Sequence, residues 1–265
     1  IYYPSRPDVV RLPQNASGRS VRFRPDRLWL EEMASRCQFG HTFDKWGHWF
    51  GCNNSNQGYQ EIIAQRYLTR NPQLPPTDAV HSMSDHLVAP EVFPTTTNPD
   101  RQIFTDVGTM TSGSGLIAYL GDDFPEPYSK ATFIAEPVSN LVHVDILADS
   151  GVSYKASRLF PNREFFTSTD AWSRPVNMYV GPDGALYILD YYRRVIESPE
   201  WMSEEAIKAG NLYDGIDKGR IYRITPQNGK KAEWMKGLTL GDASIDQLVK
   251  ELSNPNGWWR INAQR

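Results

Sequence analysis

Two histidines and two aspartates crowd a single ten-residue stretch, TDAVHSMSDH, where Asp78, His81, Asp85 and His86 offer nitrogen and oxygen ligands suited to zinc, iron or a calcium-like ion. No period in the segment puts the four on one face, so solvated loop residues or hydrogen-bonded histidines are the alternative. Further along, His143 sits in LVHVDIL, and strand alternation gives it the face of Leu141 and Asp145, opposite Val142 and Val144. That placement suits a channel-lining residue. Asp190, Tyr192 and Arg193 directly follow a strand end; they read either as site residues or as a buried Asp–Arg pair that ties down the segment after it. Trp172, beside Arg174, offers an aromatic face for a sugar or cofactor ring, against the plainer role of a core aromatic. Ser168 and Asp170 invite a hydrolase triad, but no G-x-S-x-G elbow surrounds Ser168.

The elements that must position these residues are strands. Val176 to Val180 alternates apolar and polar residues, Gly181-Pro182-Asp183-Gly184 is turn chemistry, and Ala185 to Leu189 is rich in strand formers, so the stretch is a hairpin. Arg220 to Thr225 adds a third strand, ended by Pro226. Strand, turn, strand and a following third strand make the unit of a propeller blade. The same grammar occurs from Ser20 to Glu31, from Phe39 to Cys52, and again in Gly115 to Leu120, Thr132 to Glu136, Leu141 to Leu147 and Gly151 to Arg158. The expected fold is all-β, an incomplete propeller of the six-bladed type over residues 18–240, preceded by a linker over 1–17. Between Asn53 and Thr105 six prolines interrupt every candidate element, which predicts loops over the rim. Glu197 to Leu212 reads as a short helical insertion. Ile245, Leu248, Val249 and Leu252 recur at helical spacing, and Asn254-Pro255-Asn256-Gly257 separates that helix from a second. Residues 241–265 therefore read as the start of a HEAT-like helical repeat.

Composition narrows the function classes. A net charge of −3 over 265 residues gives no broad footprint for nucleic acid, and no apolar run is long enough to span a bilayer. Cys37 and Cys52 are the only cysteines, too few for a zinc ribbon or a haem attachment motif. They flank one hairpin, as a cross-strand disulfide of an exported protein or as two free buried thiols. The chain opens without an initiator Met, which suggests a segment excised from a longer protein.

PVNMYVGPDGALYILD followed by GRIYRITP, the Gly115–Leu147 stretch, and RCQFGHTFDKWGHWFG resemble the soluble quinoprotein sugar dehydrogenases. NPDRQIFTDVGTMTSG, EFFTSTDAWSRPVNMYVGPDGALYILDYYRRVIE and the helical tail are similar to large multidomain dehydrogenase-like proteins of planctomycetes and verrucomicrobia, in which a propeller precedes HEAT-like repeats and often a c-type cytochrome domain. The resemblance implies oxidation of sugar or alcohol hydroxyls, pyrroloquinoline quinone (PQQ) and calcium on the propeller axis, haem c on a domain outside this chain, a cytochrome partner, and a periplasmic or cell-surface location. By position it implies that Arg36 and Arg174 hold the quinone, and the family carries an Asp-x-Tyr-Arg similar to Asp190, Tyr192 and Arg193; Trp172 and His143, from the reading of the residues above, complete the expected cofactor-binding set. The adjacent asparagine of the family pattern is Cys37 here, and the blade that carries the family's histidine base is absent. The alternative functions are a non-catalytic scaffold or carbohydrate-binding module, and a metal-dependent lactonase.

Overall fold

The computed structural model describes residues 18–27, 29–71, 73, 78–96, 107–229 and 239–265. The linker expected over 1–17 lies outside the described residues. Strands β1 (Val21–Arg24) and β2 (Trp29–Glu32) form an antiparallel pair. Next, β3 (His41–Phe43), β4 (Trp49–Asn53), β5 (Asn56–Glu61) and, after the short helix α1 (Gln65–Leu68), β6 (Val80–Ser82) make a four-stranded antiparallel meander. A third sheet holds β7 (Ser114–Ala118), β8 (Ala131–Glu136), β9 (Leu141–Ser150) and β10 (Ser153–Arg158), with β11 (Phe166–Thr167) also paired to β9. The fourth runs β12 (Pro175–Val180), β13 (Leu186–Asp190) and, beyond an insertion carrying helix α2 (Glu204–Lys208), β14 (Arg220–Ile224). Helices α3 (Ile245–Glu251) and α4 (Gly257–Gln264) close the chain. The fold is all-β with a helical tail.

Turn chemistry fixes each hairpin. Asp44 closes β3–β4 by accepting from the N–H groups of Trp46 at 2.8 Å and His48 at 2.9 Å. Asn53 does the same between β4 and β5, accepting from Asn56 N–H at 2.9 Å. Gly184 ends the Gly181–Gly184 turn with φ of +80°, a conformation that L side chains avoid. The carboxylate of buried Asp183 inside that turn accepts from Tyr187 Oη and from Arg223 Nε. The tail docks on the same turn: Asn256 Nδ2 donates to Gly181 O at 2.9 Å and Trp259 Nε1 to Pro182 O at 2.7 Å.

One expectation needs correction. The region after Asn53 is not loop alone, since β5 and β6 lie within it. The NQGYQE sequence of β5 hides its strand character because its buried glutamines are polar; Gln57 Nε2 donates to the Ser84 hydroxyl and Gln60 Oε1 accepts from the Ser153 hydroxyl, both from neighbouring segments.

The first strands of the three larger sheets meet, as blades do around a propeller axis. Gly115 N–H donates to Phe39 O at 2.8 Å, and Ala118 N–H to Thr42 Oγ1 at 3.1 Å, joining β7 to the β3 segment. On the other side, a Cβ at Gly115 would lie 2.6 Å from Asn177 Cα in β12, and Gly115 has φ of +61°. The third sheet is thus covered on both faces. Leu141, Ile134 and Leu147 pack with Phe50, Met83 and Met110, while Phe133, Val142 and Val144 pack with Met178, Leu186 and Ile188. This burial on both faces accounts for β8, in which all six residues are buried, Thr132 and Glu136 among them.

Gly115→Ala adds both a strained φ and an overlap with backbone that cannot move aside, so it should cost ~3 kcal/mol or more. Urea denaturation should show the midpoint falling accordingly; an unchanged midpoint would mean that β7 and β12 do not touch there.

Candidate functional site

Where the first strands of the three larger sheets begin lies a cavity of about 800 Å³. Gln38 and Phe39 reach it from the segment before β3, Thr111, Ser112 and Ser114 from the entry to β7, and Val176 from β12. Pro137 and Val138 of the β8–β9 turn supply one wall; Ile196 to Ser198 and Trp201 of the β13–β14 insertion supply another. Phe39 and Trp201 keep large exposed faces, at 51% and 61% relative exposure. The remaining polar lining is amide, hydroxyl and a single carboxylate, Glu197.

Buried carboxylates and arginines set these walls. Glu136, fully buried at the end of β8, accepts from Ser112 N–H at 2.9 Å, Thr111 N–H at 3.1 Å and the Ser112 hydroxyl. Ser112 Oγ in turn accepts from Val138 N–H at 3.2 Å. Burial pushes the Glu136 carboxyl up and these donors pull it back, leaving it at about 7. A cavity-lining hydroxyl is therefore backed by a carboxyl that titrates near neutrality.

Arg174, Trp172, Asp190 and Arg193 come together, but beneath the wall. The Arg174 guanidinium donates to four backbone carbonyls: Arg194 at 2.7 Å, Pro137 at 2.9 Å, Arg193 at 3.1 Å and Val138 at 3.4 Å. Burial lowers it to about 10, so it stays charged at neutral pH. It binds the insertion to the β8–β9 turn, which positions two walls at once. Asp190 accepts from Arg174 N–H at 2.7 Å, from Tyr192 N–H at 2.9 Å and from the Arg220 guanidinium at 2.8 and 3.0 Å. Buried Asp190 is thus paired with the partly exposed Arg220, not with Arg193. The Arg193 guanidinium gathers carbonyls of Tyr191, Tyr192, Gly215, Ile216 and Lys218, holding the two ends of the insertion to each other. Trp172 packs on Tyr192 with ring centroids 5.8 Å apart.

The other sequence candidates lie apart from this network. Arg36 is exposed, and its carbonyl accepts from Tyr59 Oη. Cys37 and Cys52 are free thiols that both point at Gly40 O, at 2.6 and 3.6 Å, and burial pushes Cys52 up to about 12. Asp78 and His81 are exposed. His86 joins His143 and Asp145 instead, their ligand atoms all within 4.8 Å of one another. His143 Nε2 lies 3.0 Å from Asp145 Oδ1 and its Nδ1 lies 2.6 Å from Glu164 Oε2. Burial alone would lower His143, but the two carboxylates outweigh it and raise the ring to about 9. Alternation along β9 foretold that His143 and Asp145 share a face; nothing in the sequence tied that face to His86 or Glu164.

A quinone bearing several carboxylates requires cationic, forked donors. No Arg, Lys or His lines the cavity among the described residues, so these residues alone do not fit that group. Nor are Pro137 and Val138 carbonyls open to calcium, since Arg174 already occupies both.

The Glu136 carboxyl carries a pH signature. Its folded value, about 7, lies above the ordinary 4.5, so its contribution is fully present below about pH 4.5 and is lost as pH rises through about 7. Across that window stability should fall by on the order of 3 kcal/mol, and Glu136→Gln should flatten the fall. Chemical denaturation at half-unit pH steps reads both; identical slopes in the two proteins would remove Glu136 as the cause.

The fold has distant structural likenesses. A crystal structure described as an oxidoreductase (glucose dehydrogenase) from Thermus thermophilus is 13% identical with a TM-score of 0.36, over 76% of this chain and 47% of that one. The soluble aldose sugar dehydrogenase of Escherichia coli in its apo-form is 15% identical with a TM-score of 0.29, over 57% of this chain and 41% of that one. This chain therefore matches less than half the length of either protein. No curated protein matches it in sequence. The sequence pattern of the family described as domain of unknown function DUF7133 matches residues 5–228, and the chain belongs to that family.

Proposed function

We propose that the axial cavity binds a sugar and that the chain is the sugar-binding propeller part of a sugar dehydrogenase-like protein. The observation that carries this reading is the lining itself. Exposed faces of Phe39 and Trp201 suit the C–H faces of a pyranose, while Gln38, Asn54, Ser112 and Glu197 offer uncharged and anionic partners for its hydroxyls. Among the described residues, an anionic ligand would meet only Glu197 as a charged group there. A neutral polyol fits better than a phosphate or a carboxylate.

Oxidation of the bound sugar is the longer reach of the proposal, and one feature favours it over a pure scaffold. A substrate hydroxyl held at Ser112 Oγ would have the Glu136 carboxyl directly behind it to take up its proton. The quinone, its calcium and a cytochrome acceptor belong to this extension; the cationic groups for the quinone and the oxygen ligands for calcium would come from outside the described residues.

Titration with glucose and other aldoses, followed by intrinsic Trp fluorescence and calorimetry, should give saturable binding with Kd near millimolar or tighter. Trp201→Ala should weaken it about tenfold or more while leaving the melting temperature in place. A flat titration across the panel would refute the sugar site. With the full-length protein, PQQ and calcium, dye reduction that disappears in Glu136→Gln without loss of sugar binding supports oxidation; sugar binding without any dye reduction supports the scaffold.

A further inference from the structure

Away from the axis, between the second and third sheets, lies a cluster that the sugar reading does not use. β9 carries His143 and Asp145 on the face turned toward the segment after β6, and that segment supplies His86. The joint is fixed by backbone: Ser84 bridges to Ala156 of β10, Asp85 N–H donates to Ala156 O at 3.0 Å, and Asp85 accepts from Ser157 Oγ at 2.6 Å. Two imidazoles and a carboxylate, from β9 and from the turn that follows β6, thus meet at one point.

We propose that His86 Nε2, His143 Nε2 and an Asp145 carboxylate oxygen bind a transition-metal dication of the zinc class. Four observations converge on it. First, the three ligand atoms lie within 4.8 Å of one another, close enough to move onto a shared ion. Second, both imidazoles are held through their other nitrogen by a carboxylate, His143 Nδ1 by Glu164 at 2.6 Å and His86 Nδ1 by Asp85 at 2.9 Å. This arrangement places the proton on Nδ1 and turns the Nε2 lone pair toward the metal. Third, His86 Nε2 is buried without a hydrogen-bond partner, 3.6 Å from Asp145 Oδ1, a costly state for a ring nitrogen unless something fills the gap. Fourth, the charged ring of His143 balances Asp145, Glu164 and Asp85 together with Arg158 and Lys155 among the described residues, so a dication that displaces the His143 proton replaces the positive charge that the three carboxylates lose.

Without metal, the hydrogen between His143 Nε2 and Asp145 closes the site; metal uptake replaces that hydrogen and releases it to solvent. Two nitrogens and one oxygen favour zinc, iron or cobalt over calcium or magnesium, which take oxygen ligands. The three protein ligands leave at least one position for water on the side of His86, the least buried of the three. Because the ligands come from β9 and from the turn that follows β6, the ion clamps one blade to the next.

The full chain, stripped with chelator, is titrated with Co²⁺ as an optical probe and with Zn²⁺ against a chromophoric competitor. Expected are one equivalent of Zn²⁺ at micromolar Kd or tighter, a visible d–d band with Co²⁺, and a melting temperature about 5 °C higher with excess Zn²⁺. His86→Gln lies outside the strands and keeps the fold, checked by circular dichroism; it should lose the band and at least tenfold in affinity. Asp145→Asn should do the same, and His41→Gln, an exposed histidine on β3, should change neither. Absence of stoichiometric binding to the wild-type chain overturns the proposal, as does Zn²⁺ affinity that survives His86→Gln or falls with His41→Gln.

Discussion

A carboxylate withdrawn from water has to be met by donors, and this chain uses that requirement to fasten its loops. Glu136 at the end of β8 captures the backbone N–H groups that lead into β7. Glu61 at the end of β5 captures Ser35 N–H at 2.9 Å and its hydroxyl at 2.7 Å. Glu164 takes Phe93 N–H at 3.1 Å, and Asp190 takes the N–H groups of Arg174 and Tyr192. Apart from the local Asp190–Tyr192 contact, each acidic side chain reaches from one segment to the amides of another, distant in sequence. The axial cavity depends on this fastening, because Thr111, Ser112, Pro137 and Val138 stand where Glu136 and Arg174 hold them.

The arginines work in the opposite sense. Arg174 and Arg193 sit where a strand end gives way to an irregular insertion, a place with carbonyls that no ladder satisfies. Their forked donors collect those carbonyls, so a residue type that also suits an anionic cofactor is taken up by architecture. Sequence position cannot separate the two uses, since both require an arginine at the mouth of a strand. What separates them is the count of carbonyls within reach, and that count depends on the fold of residues 191–219.

Local chemistry was the legible part of the fold. The hairpin around Pro182-Asp183, the β7 to β10 strands and the paired helices of the tail all follow from alternation, turn residues and capping; Ser244 forms a full capping box with Gln247. β5 was hidden because its buried positions are Gln57, Gly58, Tyr59 and Gln60, and glutamine reads as surface unless its hydroxyl partners are known. The site was legible only in pieces. Parity along β9 placed Asp145 beside His143, whereas His86 belongs to a loop whose register against β10 is set by a single parallel bridge. Short-range pattern carries no information about such a bridge.

The division of charge between the two regions follows from these same contacts. The axial cavity is lined by neutral amides, hydroxyls and aromatic rings with Glu197 alone carrying charge, because nearby cations are already bound to carbonyls beneath its walls. The seam between the second and third sheets holds the opposite arrangement, with buried His143, Asp145 and Glu164 packed against half-buried His86 and exposed Asp85. The proposed sugar site is a half-open hollow with aromatic faces, where hydroxyls would exchange water for amide and hydroxyl partners. The proposed metal site lies where Asp145, Glu164 and Asp85 gather around the rings of His86 and His143, with Arg158 and Lys155 as the other cations. The two regions share no side chain, and the third sheet connects them through β8, which ends at Glu136, and β9, which begins five residues later and carries His143.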